Sequence, residues 1–94
     1  MTEHIFNVKC AVEKNIGGIA RHVTSTPVIE IFEESLIWEG VVETFELACN
    51  PNAQRCYAFT YREDDSLGYA TIAETEEVNS PKMAVKAFFA SRMQ

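Results

Sequence analysis

The sequence is poor in basic residues. Eight Lys and Arg stand against fourteen Asp and Glu, which gives a formal net charge of −6 and an isoelectric point of about 4.8. Binding to a nucleic-acid backbone requires clustered Lys and Arg, and so does docking on an anionic membrane. We therefore expect no nucleic acid and no membrane among the partners of this protein.

Long apolar runs and cysteine pairs are also missing. No run approaches the roughly 18 to 20 apolar residues of a membrane span, and the N-terminus lacks the basic and apolar regions of a secretory signal. The three cysteines are Cys10, Cys49 and Cys56, an odd number without a CxxC pair. This pattern predicts free thiols in a cytoplasmic protein. A redox switch between Cys49 and Cys56 remains an alternative.

Sequence motifs for catalysis or cofactor binding are absent. The pair Gly17-Gly18 is not part of a GxGxxG motif, so it does not indicate a phosphate site. His4 and His22 do not stand at zinc-ligand spacing from each other or from the cysteines. No Ser or Cys lies in a nucleophile elbow beside a histidine. We predict no catalytic residue, no metal site and no cofactor, and the sequence favours a protein that is not an enzyme.

Hydrophobic residues make up 47% of the chain and charged residues 23%, which is typical of one globular domain spanning residues 1–94. The organising segment is 36–62, which reads as two long strands joined by the connector Asn50–Ala53. In the first of these strands, Gly40 marks a bulge or a close approach of another group.

The second long strand has two different faces. A period of two places large aromatic residues on one side and small residues on the other. The aromatic row is Tyr57, Phe59 and Tyr61, and the small residues opposite it are Cys56, Ala58 and Thr60. The sequence leaves open which of the two faces lies under the helices.

The N-terminal part reads as strand, helix and strand. Residues His4 to Val12 alternate in polarity and predict a strand. An apolar stripe follows and predicts a short helix from Ile16 to Thr24. The β-branched segment Val28 to Glu33 predicts a strand, and 33–35 turns the chain into the long strand at Leu36.

The C-terminal part reads as strand and helix. Residues Leu67 to Ala73 predict the last strand, after an acidic turn. Ser80 as N-cap and Pro81 in the first turn predict a helix that runs to Met93. Phe88 and Phe89 lie on its apolar face and are expected to anchor it to the sheet.

These elements predict an α+β domain of order β-α-β-β-β-β-α. Its mainly antiparallel sheet of four to five strands carries a short N-terminal helix and a C-terminal helix on one face. The last strands and the final helix resemble the topology of the double-stranded-RNA-binding fold. That family's basic residues at the start of its last helix are represented here by Lys82 and Lys86 alone, so RNA binding is not carried over.

The aromatic row is the most informative candidate site. We predict a non-catalytic interaction or accessory module that uses its sheet face or edge and binds another protein or itself, for example as a homodimer. The candidate surface or pocket residues are Trp38, Tyr57, Phe59, Tyr61, Tyr69, Glu39 and Glu43.

Two alternatives come from other classes of function. One is a small-molecule-binding or minor enzymatic domain, with a pocket between helix and sheet lined by some of the same residues. The other is an acidic inhibitor that mimics nucleic acid. Two segments, 23–53 and 63–77, carry twelve carboxylates without any Lys or Arg, and such charge attracts basic clefts.

Overall fold

A computed structural model describes residues 2–92, in which two helices flank a four-stranded antiparallel sheet. The elements in chain order are α1 (Glu3–Asn15), β1 (Ile19–Phe32), β2 (Ser35–Ala48), β3 (Arg55–Glu63), β4 (Ser66–Ala73) and α2 (Pro81–Arg92). The strands lie side by side in the order β1-β2-β3-β4. The predicted α+β class, antiparallel sheet and terminal helices are confirmed, with four strands in the sheet. No helix within the described range is long and apolar enough to cross a membrane.

The N-terminal segment is a helix, so the strand predicted over His4 to Val12 is wrong. Its alternation would require Phe6 and Cys10 to be buried, and both are exposed. Thr2 caps the helix, because its Oγ1 accepts a hydrogen bond of 3.2 Å from the Ile5 N–H. The residues that face the sheet recur every three or four positions, as one side of a helix requires: Ile5, Val8, Val12 and Ile16.

The helix predicted from Ile16 to Thr24 is also wrong, because β1 begins at Ile19. Gly17 and Gly18 have φ values of +96° and +87°, a left-handed conformation that ends α1. A Cβ on Gly18 would lie 2.6 Å from the carbonyl oxygen of Ala48. The glycine pair therefore turns the chain from α1 into β1. The strand predicted over 28–33 is the last part of this longer strand, which ends at Phe32.

β1 and β2 form a long hairpin with two irregularities. The register shifts where Val23 and Ile37 have no partner across the pair, and these are the bulges that let each strand change face. Gly40 pairs regularly with Val28, so the bulge expected at Gly40 lies instead at Ile37. The missing side chain of Gly40 makes room for the Trp38 ring, which a Cβ would approach within 2.7 Å.

The two helices lie on opposite faces of the sheet. On β3, Cys56 and Ala58 belong to the core cluster of α1, whereas Tyr57 and Phe59 belong to that of α2. Alternation along the strand places these pairs on opposite sides. The expected arrangement with both helices on one face is wrong, because residues 3–15 carry an apolar stripe that needs its own side of the sheet.

Helix α2 begins as predicted, with the Ser80 Oγ accepting a hydrogen bond of 3.2 Å from the Met83 N–H. The Phe88 ring packs 5.4 Å from that of Phe59 and 4.9 Å from that of Tyr61. The predicted end at Met93 lies outside the described residues.

Replacing Phe88 with Ala should lower the free energy of unfolding by about 3 kcal/mol, because the half-buried ring leaves a gap beside three aromatic partners. The exposed Lys82→Ala on the same helix should change it by no more than about 0.5 kcal/mol. Chemical denaturation of both variants measures the difference. Equal stability of Phe88→Ala and the parent would contradict this packing.

Candidate functional site

The sheet divides into two hairpins toward its turns. β2 pairs with β3 only where residues 43–46 meet 55–58, whereas β1 and β4 pair with their hairpin partners over most of their length. Trp38 lies in the gap, where its Nε1 donates a hydrogen bond of 3.0 Å to the Thr60 carbonyl oxygen. A cleft of about 530 Å³ remains in this gap, and its walls include Glu39, Arg62 and Leu67.

Helix α1 is too short to cover its face of the sheet. Thirteen helical residues span about 20 Å, whereas the fourteen residues of β1 or β2 span about 46 Å. The helix contacts the end of the sheet that contains Ala20, Phe45 and Cys56. The end nearest the hairpin turns stays uncovered on this side.

We call this uncovered area the open sheet face. Its members follow from the register. On β2 and β3, every second residue counted from the buried Phe45 and Ala58 toward the hairpin turns lies on this side of the sheet. The residues paired with them on β1 and β4 complete the area. The apolar members are Ile29, Ile31, Val41, Leu67 and Tyr69, accompanied by Glu39 and Arg62.

The open sheet face is apolar and carries two opposite charges. Its apolar side chains are between 36% and 60% exposed, and all four strands contribute to it. Several apolar side chains exposed on one side of a sheet indicate a contact surface, whereas single exposed apolar residues do not. Glu39 and Arg62 are both exposed, and neither forms an ion pair with another residue between 2 and 92.

The aromatic row does not form an exposed surface. Phe59 is 0% and Tyr57 2% exposed beneath α2, which corrects the idea that these side chains lie open on the sheet. Trp38 and Tyr61 are half-buried on the same side. Of the sequence-predicted site residues, only Tyr69 and Glu39 belong to the open sheet face.

Tyr57 has a structural hydrogen bond. Its hydroxyl donates to Glu74 Oε2 at 2.8 Å. Burial raises the pKa of Tyr57 to about 12, and the hydrogen bond and charge of Glu74 act in the same direction. The neutral phenol is therefore retained, and it ties β3 to the segment after β4.

Glu43, the remaining predicted residue, lies beneath α1 and is 3% exposed. One carboxylate oxygen, Oε1, accepts a hydrogen bond from the Ser25 hydroxyl and lies 2.9 Å from His22 Nε2. The other oxygen is 3.9 Å from His4 Nε2. The cluster therefore joins α1, β1 and β2.

This cluster does not have the geometry of a catalytic triad. Ser25 Oγ and the Glu43 carboxylate both approach the same ring nitrogen of His22, whereas a triad places nucleophile and acid on different nitrogens. Across residues 2–92, no three His, Cys, Asp or Glu side chains are arranged to hold a metal ion.

Four of the twelve carboxylates in the segments 23–53 and 63–77 are buried or paired with an arginine. Glu30 and Glu43 are buried, Glu46 pairs with Arg21, and Glu63 pairs with Arg92 at 2.5 Å. These contacts weaken the argument for mimicry of nucleic acid, which remains a prediction.

Sequence reasoning missed the apolar members of the open sheet face. The alternation of Ile29 and Ile31 with Val28 and Glu30 was a usable signal that one side of β1 differs from the other. It could not show that this side is uncovered, because that depends on how far α1 extends along the sheet.

All three cysteines are free thiols, with Cys10 and Cys49 exposed and Cys56 buried. Burial raises the pKa of Cys56 to about 12, so its reactive thiolate form is disfavoured.

Comparison of the chain with protein-family models, with curated proteins and with solved structures finds no match.

Alkylation of the native protein with iodoacetamide near neutral pH should modify Cys10 and Cys49 and leave Cys56 unmodified, because the Cys56 thiol is enclosed and protonated. Mass spectrometry of tryptic peptides measures the three sites separately. Alkylation in denaturant is the control, and it should modify all three. Rapid modification of native Cys56 would show that α1 does not cover it.

Proposed function

We propose that the protein is a non-catalytic interaction module that binds a second copy of itself through the open sheet face. The observation that carries this proposal is the apolar area on one side of the sheet, left uncovered by α1. Burying that area between two copies removes apolar surface from water, which is the main driving force of association.

The open sheet face is favoured over the β1 edge as the contact surface. Pro27 lies in the middle of β1, which is an edge strand. Proline has no N–H, so it removes a donor that an added strand would need. Pairing of two copies along the full length of β1 is therefore disfavoured.

The charges on the open sheet face fit a second copy. Glu39 and Arg62 lie on opposite sides of the gap between the hairpins, and each is exposed. A two-fold axis places the same patch of each copy against the other. Glu39 of one protomer can then meet Arg62 of its partner, so the face is complementary to itself.

A cytoplasmic location also remains a prediction, and the three free thiols support it.

A contact dominated by apolar burial should persist at high salt, because screening weakens ionic attraction and leaves the hydrophobic effect intact. This separates self-association from mimicry of nucleic acid, in which binding to a basic partner weakens steeply as salt rises.

Sedimentation equilibrium of the parent should show a concentration-dependent dimer that persists at high salt. Ile29→Glu and Val41→Glu should each weaken dimerisation by about ten-fold or more, because a charge would be buried in the contact. Ile19→Glu is the matched control, since Ile19 is comparably exposed on the same strand and lies outside the open sheet face. It should leave dimerisation unchanged.

The charge arrangement gives a second arm of the same experiment. Glu39→Arg alone should weaken the dimer, and adding Arg62→Glu should restore it. A parent that stays monomeric at high concentration would overturn the proposal. Equal weakening by Ile19→Glu and Ile29→Glu would also overturn it.

A further inference from the structure

A separate cavity lies on the other side of the sheet, between the outer end of the β1–β2 hairpin and the last turns of α2. Its volume is about 320 Å³, at the lower end of the range of about 300 to 1,000 Å³ found for ligand sites. The lining residues are Glu30, Phe32, Ile37, Lys86, Phe89 and Ala90.

Glu30 is the unusual member of this lining. It is 7% exposed, and its side chain has no hydrogen bond or ion pair with any residue from 2 to 92. The Glu30 side chain lines the cavity, and its carboxylate oxygens are not fully enclosed. Within the described chain, the one fully enclosed side-chain nitrogen or oxygen without a partner is Thr44 Oγ1. The Glu30 oxygens therefore remain accessible at the cavity wall.

The surroundings of this carboxylate are mainly apolar. Phe32, Ile37 and Phe89 form much of the wall, and such a wall cannot solvate a negative charge. Lys86 lines the cavity from the exposed side of α2 and forms no ion pair with Glu30. A buried carboxylate is stabilised when a cation or hydrogen-bond donor contacts it, and no described residue makes such a contact with Glu30.

The geometry points to a binding site for a small organic amine with an apolar body. The ammonium group contacts the Glu30 carboxylate through a charge-assisted hydrogen bond. The apolar body fills the space beside Ile37, Phe32 and Phe89, and the aromatic rings of Phe32 and Phe89 also attract a nearby cation. The small volume restricts the ligand to roughly the size of an arylalkylamine.

This site is independent of the proposed self-association. The cavity lies against α2, whereas the open sheet face lies on the α1 side. Loss of amine binding therefore leaves the dimer unaffected, and a monomeric parent leaves the amine site intact.

Isothermal titration calorimetry of the full chain with 2-phenylethylamine tests the inference, and 2-phenylethanol serves as the neutral probe of the same shape. The amine should bind saturably and about ten-fold or more tighter than the alcohol, because only the amine pairs with Glu30. Glu30→Gln retains the shape and removes the charge, so it should weaken amine binding by about ten-fold or more and leave alcohol binding nearly unchanged.

A second pair of variants tests the cavity without altering Glu30. Ala90→Leu fills the space and should weaken amine binding by about ten-fold. Ala87→Leu, at an exposed position of the same helix outside the cavity, should change it by less than about two-fold. This pair decides the question if Glu30→Gln does not fold. No saturable binding of the amine to the parent would overturn the inference. So would equal affinity for amine and alcohol, or no effect of Ala90→Leu relative to Ala87→Leu.

Discussion

The structure depends on β3 being buried on both of its faces. Cys56 and Ala58 lie under α1, Tyr57 and Phe59 lie under α2, and all four are at most 2% exposed. The side chains on the two faces of β3 differ in size, which sets how closely each helix packs on the sheet. Small residues let α1 approach closely, whereas the aromatic rings fill the space beneath α2. A larger residue at position 58 would displace α1, and a smaller one at 59 would leave a cavity under α2.

The two candidate sites lie toward the far end of the sheet, which α1 does not reach and on which the last turns of α2 pack. Beyond residues 43 and 58 the hairpins part, and Trp38 reaches across the gap to donate a hydrogen bond to the carbonyl of Thr60. On the α1 side this end is the apolar open sheet face. On the α2 side it forms the cavity that contains Glu30. The open sheet face follows from strands that are longer than α1, and the cavity is the space that α2 leaves beside the end of the β1–β2 hairpin.

The sequence was sufficient where one local pattern had a single interpretation. Alternation predicted the two faces of β3, and the Ser80-Pro81 cap predicted the start of α2. It failed before position 24, because Val8 and Val12 fit both a period of two and a helical period. The Gly17-Gly18 pair then ends a helix, whereas we expected it to begin one. The open sheet face and the Glu30 cavity could not be predicted, since both depend on how far the helices extend along the strands.

The turn between β1 and β2 has a consequence for the rate of folding. Every strand pair joins neighbours in the chain, so the sheet forms by closing successive short loops, a topology associated with rapid folding. Yet Glu33 and Glu34 both have positive φ, 51° and 66°, a conformation that disfavours residues other than glycine and asparagine by about 1 kcal/mol each. Their like charges add repulsion at the same point. The longest hairpin therefore closes through an unfavourable turn, which should slow its formation in a fold that is otherwise local.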